Sequence, residues 1–215
     1  LKPYQQIPIL ECGEPLVPLP ITLERIQPHP YQALGAPYGD ASPFQLRSGV
    51  VARLELAQQR LQPQGLGLQI FDGYRPLTVQ QFMVTWTFQD LVRQYPTRPV
   101  ADLYREVERF WAAPSLDPAA PPPHSTGGAV DLTLVTITGP VPMGSPIDEV
   151  SARSYPDYFQ GQPVPFQANR EQLNQAMIQA GFQRHPHEWW HFSYGDQLWA
   201  WLAGEPTAHY GRVAI

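Results

Sequence analysis

Apolar residues recur at Val51, Leu54, Ala57 and Leu61, the spacing of one helical face, with Ser48 before the pattern and Pro63 and Gly65 after it. The period then changes. Leu66-Gly67-Leu68-Gln69-Ile70-Phe71 is a short apolar run ended by the turn signal Asp72-Gly73, which predicts a buried strand. Thr78, with Gln81 three residues later, has the form of a capping box and predicts a helix carrying Phe82, Trp86 and Leu91 and closed by Pro96. Leu103, Val107, Phe110 and Trp111 predict a further helix over 101–112, and a Pro/Ala-rich connector at 114–123 leads to His124. From Ala129 to Thr138 β-branched residues dominate and both alternating sets hold apolar members, so the strand expected there is covered on both faces. Leu173, Ala176, Met177 and Ala180 mark one face of a helix over 170–180, closed by Gly181. Phe182 to Tyr194 reads as an aromatic β segment, and Gln197 to Ala203 as a last amphipathic stretch.

Residues 1–46 follow neither period. Prolines interrupt short apolar pieces such as Ile7-Pro8-Ile9-Leu10, which predicts extended and loop segments packing on a core formed elsewhere. The chain has 26 prolines, so long stiff loops are expected throughout. With no internal repeat and no convincing boundary, the expectation is one α+β domain over residues 1–215. It would have a small central antiparallel or mixed sheet flanked by helices, with long Pro-rich loops.

Composition removes several function classes. A net charge of −5 without a local basic cluster argues against a nucleic-acid partner, because phosphate neutralisation needs a Lys/Arg surplus. One cysteine, Cys12, excludes an intrachain disulfide and any multi-cysteine zinc site. No apolar run reaches the length of a membrane span. The chain begins at Leu1, from which a removed segment is expected, and both cytoplasm and periplasm stay open as its compartment. The sequence carries no signal for oligomeric state.

Candidate chemistry sits in three places. In His124-Ser125-Thr126-Gly127-Gly128-Ala129-Val130-Asp131, an imidazole on a loop and a carboxylate inside an apolar strand are both good Zn²⁺ ligands, with two glycines between them to bend the backbone. A capping histidine and an aspartate paired with a distant arginine would also account for the pattern. In Glu188-Trp189-Trp190-His191, residues three apart face opposite ways in a regular strand, so a shared site requires a bend, bulge or helical turn near Trp189. The tryptophans would form dry walls; an aromatic core strand is the plain alternative. His187, four residues before His191, is a backup ligand, and His29 and His209 are expected at the surface. In Phe71-Asp72-Gly73-Tyr74-Arg75-Pro76, Arg75 at a strand end could meet an oxyanion or carboxylate, or could pair with Asp72 to stabilise the turn.

Taken jointly and in order, Phe71–Pro76, His124–Leu134, Val141–Asp148 and Glu188–Phe192 resemble the D-alanyl-D-alanine dipeptidases of the vancomycin-resistance (VanX) type, within a wider group of bacterial zinc D,D-peptidases. The resemblance implies one Zn²⁺ per chain held by His124, Asp131 and His191, with Glu188 as general base and Arg75 stabilising the transition state. It implies a free D,D-dipeptide, D-Ala-D-Ala, as substrate, with its amino group paired to Asp148. Some members carry hydroxyl residues just before the first histidine that contact the substrate's carboxylate. Here those positions are Pro122 and Pro123, so backbone or Ser125 would substitute, with Trp190 beside the substrate. The alternatives are a peptidoglycan D,D-carboxypeptidase and a non-catalytic zinc-stabilised binding module.

Overall fold

The computed structural model describes residues 2–213. Its strands are β1 (Leu16–Pro18), β2 (Glu24–Arg25), β3 (Gln45–Arg47), β4 (Gly67–Asp72), β5 (Ala129–Thr136), β6 (Gly139–Pro140), β7 (Gln183–Arg184) and β8 (His191–Ser193). Its helices are α1 (Pro30–Ala33), α2 (Ser48–Leu61), α3 (Leu77–Gln94), α4 (Val100–Phe110), α5 (Phe166–Gln179) and α6 (Gln197–Ala203). The central sheet has the order β2-β4-β5-β8-β7, with β6 returning on β5; β2 runs parallel to β4 and the other pairs are antiparallel, so the sheet is mixed and the fold is α+β. No helix among the described residues is long and apolar enough to cross a membrane.

Strand parity divides the sheet into two working faces. Val130, Leu132 and Leu134 of β5, with Leu68 and Ile70 of β4 and Phe192 of β8, meet Leu54, Ala57 and Leu61 of α2 and Leu173 and Met177 of α5. Each of the Val, Leu, Ile, Phe and Met side chains among them contributes about 1.5–3 kcal/mol by leaving water. A second apolar cluster joins Tyr31, Val79 and Met83 to Leu103, Val107 and Trp111, and packs α3 against α4. Alternate residues of β5 and β8, Asp131 and His191 among them, point away from the α2–α5 side.

One irregularity brings β4 into the site. Ile70 pairs with Leu132, but the next pairing is Asp72 with Asp131, so Phe71 is the extra residue of a bulge. Without it, Asp72 would share Ile70's face and enter the apolar core. The bulge turns it to the face of Asp131.

Several elements depart from the sequence expectations for identifiable reasons. Helix α3 starts at Leu77, with Pro76 at its cap in extended backbone; Thr78 lies inside the first turn and its hydroxyl donates to the Pro37 carbonyl, so the capping box does not form. Helix α5 begins at Phe166, a turn earlier than its apolar spacing suggests, and is closed by Gly181 at φ 99°. The Phe182–Tyr194 segment is two short strands, with residues 185–190 turning between them at Pro186. Residues up to 46 are mostly connections, yet β1 pairs with β3 and β2 edges the main sheet. The Glu14 carboxylate accepts from Gly49 N–H at 2.7 Å, satisfying the start of α2.

Candidate active site

His124 lies in a 3-10 turn, Pro123–Thr126, closed by Gly127 at φ 70°, a left-handed conformation open to glycine. Gly128 passes so close to the Tyr194 carbonyl that a Cβ would stand 2.7 Å from it. That approach docks the turn onto the backbone following β8. From there the chain enters β5, where Asp131 stands directly opposite His191 of β8.

The three side chains converge. His191 Nδ1 lies 3.0 Å from an Asp131 oxygen, His124 Nε2 lies 3.2 Å from the other, and the two imidazole nitrogens are 3.2 Å apart. All three residues are buried. Hydrogen bonds fix the tautomer that each ring adopts when neutral. His124 Nδ1 faces the Gly73 carbonyl at 2.8 Å, an acceptor only, so that nitrogen carries the proton and Nε2 presents a lone pair. On the far side of His191, Nε2 faces Ser193 Oγ at 3.3 Å, and that hydroxyl donates to Asp196 at 2.8 Å; Nε2 therefore carries the proton and Nδ1 is bare. Two lone pairs and a carboxylate thus meet with no proton between them, which a cation resolves. Tetrahedral donors at zinc's bond lengths stand about 3.3 Å apart, close to the spacing seen here, so the donor set fits Zn²⁺. Burial acts to raise the Asp131 carboxyl; when the ring of His124 or His191 carries a second proton, its charge and N–H outweigh burial and hold the group below the usual carboxylate range.

Around this triangle the cleft is lined by Arg75, Asp148, His185 and Glu188, with Pro122, Pro123, Lys2 and Tyr4. The bend expected near Trp189 is present at Trp189 and Trp190, and it brings Glu188 to the same side as His191, 3.8 Å from its Nδ1. Burial, then Asp131 and Asp148, push the Glu188 carboxyl well above its ordinary value. Arg75 pairs with Asp72 at 2.7 Å, the turn-stabilising pair of the sequence reading, and also reaches Asp131 at 3.3 Å. Gln80 accepts from its third nitrogen at 3.0 Å, which fixes the plane of the guanidinium.

Asp148 is among the described residues the one non-glycine at positive φ, 64°, a strained conformation of the kind that gathers at functional sites. Its carboxylate accepts from Tyr31 OH at 2.5 Å, and burial followed by the Asp131 charge pushes it up to about 7. The loop carrying it has little backbone pairing. Instead the buried Arg170 of α5 donates to the carbonyls of Met143, Arg153 and Tyr155 at 2.7–2.9 Å, and Trp189 Nε1 donates to Ser145 Oγ at 2.9 Å.

Other predicted residues lie elsewhere. Ser125 is buried, donates to the Pro122 carbonyl at 2.7 Å, and does not line the cleft. Trp190 belongs to the apolar core behind β8 and does not line it either. His187 is exposed and outside the donor triangle. His29, expected at the surface, is buried edge-on to Tyr31, Tyr38 and Phe44, with Nε2 3.3 Å from Asp72. His209 is half-buried against Trp199. The sequence reading missed Ser193, Asp196, Tyr31 and Arg170. Only Asp196 had a local signal, since it precedes a helix and accepts from Trp199 N–H as its cap.

The D-alanyl-D-alanine dipeptidase of Synechocystis sp. is 45% identical, with 99% of this chain and 97% of that protein aligned. That of Enterococcus faecium is 31% identical over 69% of this chain and 75% of its own length. A solved structure, the vancomycin resistance D,D-pentapeptidase VanY in complex with Zn(II), aligns at 15% identity over 76% of this chain and 81% of that one, with a TM-score of 0.48. Residues 29–209 match the peptidase M15 family, described as D-ala-D-ala dipeptidase, and the chain belongs to that family.

Proposed function

We propose that the protein is a zinc-dependent dipeptidase that hydrolyses free D-Ala-D-Ala to two D-alanines, with the chain acting as one domain. The convergence of two bare imidazole nitrogens and a carboxylate, with Glu188 on the same side, carries this reading. His124, Asp131 and His191 would hold zinc, which when bound supplies a Lewis acid and lowers the pKa of water. Glu188 takes the proton of the attacking water and returns it to the leaving amine. Its raised proton affinity suits it to both halves of that transfer. Arg75, oriented by Asp72 and Gln80, faces the oxygen on which charge develops, and one well-placed donor of this kind is worth about 3–4 kcal/mol. Asp148, held by Tyr31, receives the substrate's free amino group, which makes a dipeptide and not a longer peptide the substrate.

Replacing Glu188 with Ala tests the assignment. Zinc should stay bound, measured by metal analysis, while turnover falls about 10²–10⁴-fold; activity that survives the change overturns the mechanism. Incubation of the zinc-loaded protein with D-Ala-D-Ala, L-Ala-L-Ala and amino-acetylated D-Ala-D-Ala should release alanine from the first alone. Cleavage of the acetylated form would indicate a carboxypeptidase.

A further inference from the structure

A dipeptide carries a carboxylate as well as an amine, and the proposed site leaves that end without a partner. Three carboxylates, Asp131, Asp148 and Glu188, already line the cleft, so a further negative charge needs a dedicated donor. Pro122 and Pro123 cannot provide one: proline has no N–H, and their carbonyls accept from the Ser125 and Thr126 hydroxyls. Arg75 is already assigned to the oxygen on which charge develops, with its other nitrogens held by Asp72 and Gln80. Gln80 in turn donates to the Ala112 carbonyl at 2.6 Å. Arg109, exposed like Lys2 and on the same cleft wall, is paired with Glu106 at 3.6 Å. His185 lies on the Glu188 side, 3.9 Å from that carboxylate.

Two groups remain. The 3-10 turn Pro3–Gln6 is fixed beside the 119–123 connector by Gln197 of α6, whose Nε2 donates to the Gln5, Ile7 and Ala119 carbonyls at 3.3, 2.7 and 2.9 Å. That turn places Lys2 and Tyr4 on the cleft wall. Tyr4 is 6% exposed, and among the described residues its hydroxyl makes no hydrogen bond. Burial raises its pKa, so it stays a protonated donor. The Lys2 ammonium makes no ion pair among the described residues.

We infer that Lys2 and Tyr4 form the subsite for the substrate's free carboxylate, taking the place of side-chain donors at positions 122 and 123. The inference rests on the dipeptidase reading above. The ammonium supplies the charge, and the unpaired Tyr4 hydroxyl supplies a directed hydrogen bond.

The test compares D-Ala-D-Ala with its C-terminal carboxamide on the zinc-loaded protein and on Lys2→Met, Lys2→Arg and Tyr4→Phe. Calorimetric binding of both compounds to the Glu188→Ala background gives a second readout. The unmodified protein should favour the acid over the amide by about tenfold or more in KM. Lys2→Met should abolish that preference by raising KM for the acid alone, any change in kcat through its charge on Glu188 being common to acid and amide, and Lys2→Arg should restore it. Tyr4→Phe should show a smaller loss, roughly threefold, also confined to the acid. A preference that survives Lys2→Met, equal weakening of acid and amide, or no preference in the unmodified protein overturns the inference while leaving the dipeptidase reading in place. Failure of the unmodified protein to turn over D-Ala-D-Ala overturns both.

Discussion

Asp131 and Leu132 are neighbours on β5, equally buried, and they answer to different physics. Leu132 faces α2 and α5, where any apolar side chain of suitable volume keeps the packing. Asp131 faces the cleft, where an ionised carboxylate is tolerable only because His124, His191 and Arg75 surround it. The lesson is that burial alone says little about a residue's task. What distinguishes the two faces is whether the contacts are directional.

The contrast can be broken from either side. Asp131→Ala should have the largest effect: zinc affinity falls roughly a thousandfold, one donor's share of a structural site's binding energy, while circular dichroism shows the fold retained. Leu132→Ala should do the reverse, lowering unfolding free energy by about 2–5 kcal/mol in denaturant titration with kcat per folded molecule within about twofold. Equal loss of metal affinity and stability in both variants would erase the distinction. Asp196→Asn sharpens it, because that residue touches no donor atom and acts through Ser193 on His191. Zinc affinity should fall about 10–100-fold, and the helix cap donated by Trp199 N–H, which an Asn oxygen can still accept, should be kept.

How much of this was legible beforehand follows the same division. The apolar faces of α2 and α5 could be read because packing imposes a period, and Gly65, Gly181 and nearby prolines mark the ends. The donor residues could be read because their types and order are specific as a set. Residues that act through distant partners left no local trace. Nothing around His29 or Arg170 announces a carboxylate 43 residues away or a loop some 15–27 residues back along the chain. Adjacency misled in two cases: Trp190 follows Glu188 and precedes His191 but takes the opposite face, and Ser125 follows His124 but spends its hydroxyl on its own turn. At Thr78 the composition of a cap was present, but Pro76 had already taken the position.

The Phe71 bulge implies something further about how this sheet tolerates change. It acts as a phase shift: before it, the even-numbered positions of β4 belong to the packed interior, and after it an even-numbered position belongs to the chemistry. A substitution scan along residues 67–75 should therefore show an alternating sensitivity whose rhythm slips by one place at Phe71, with volume deciding tolerance on one side of the slip and charge on the other.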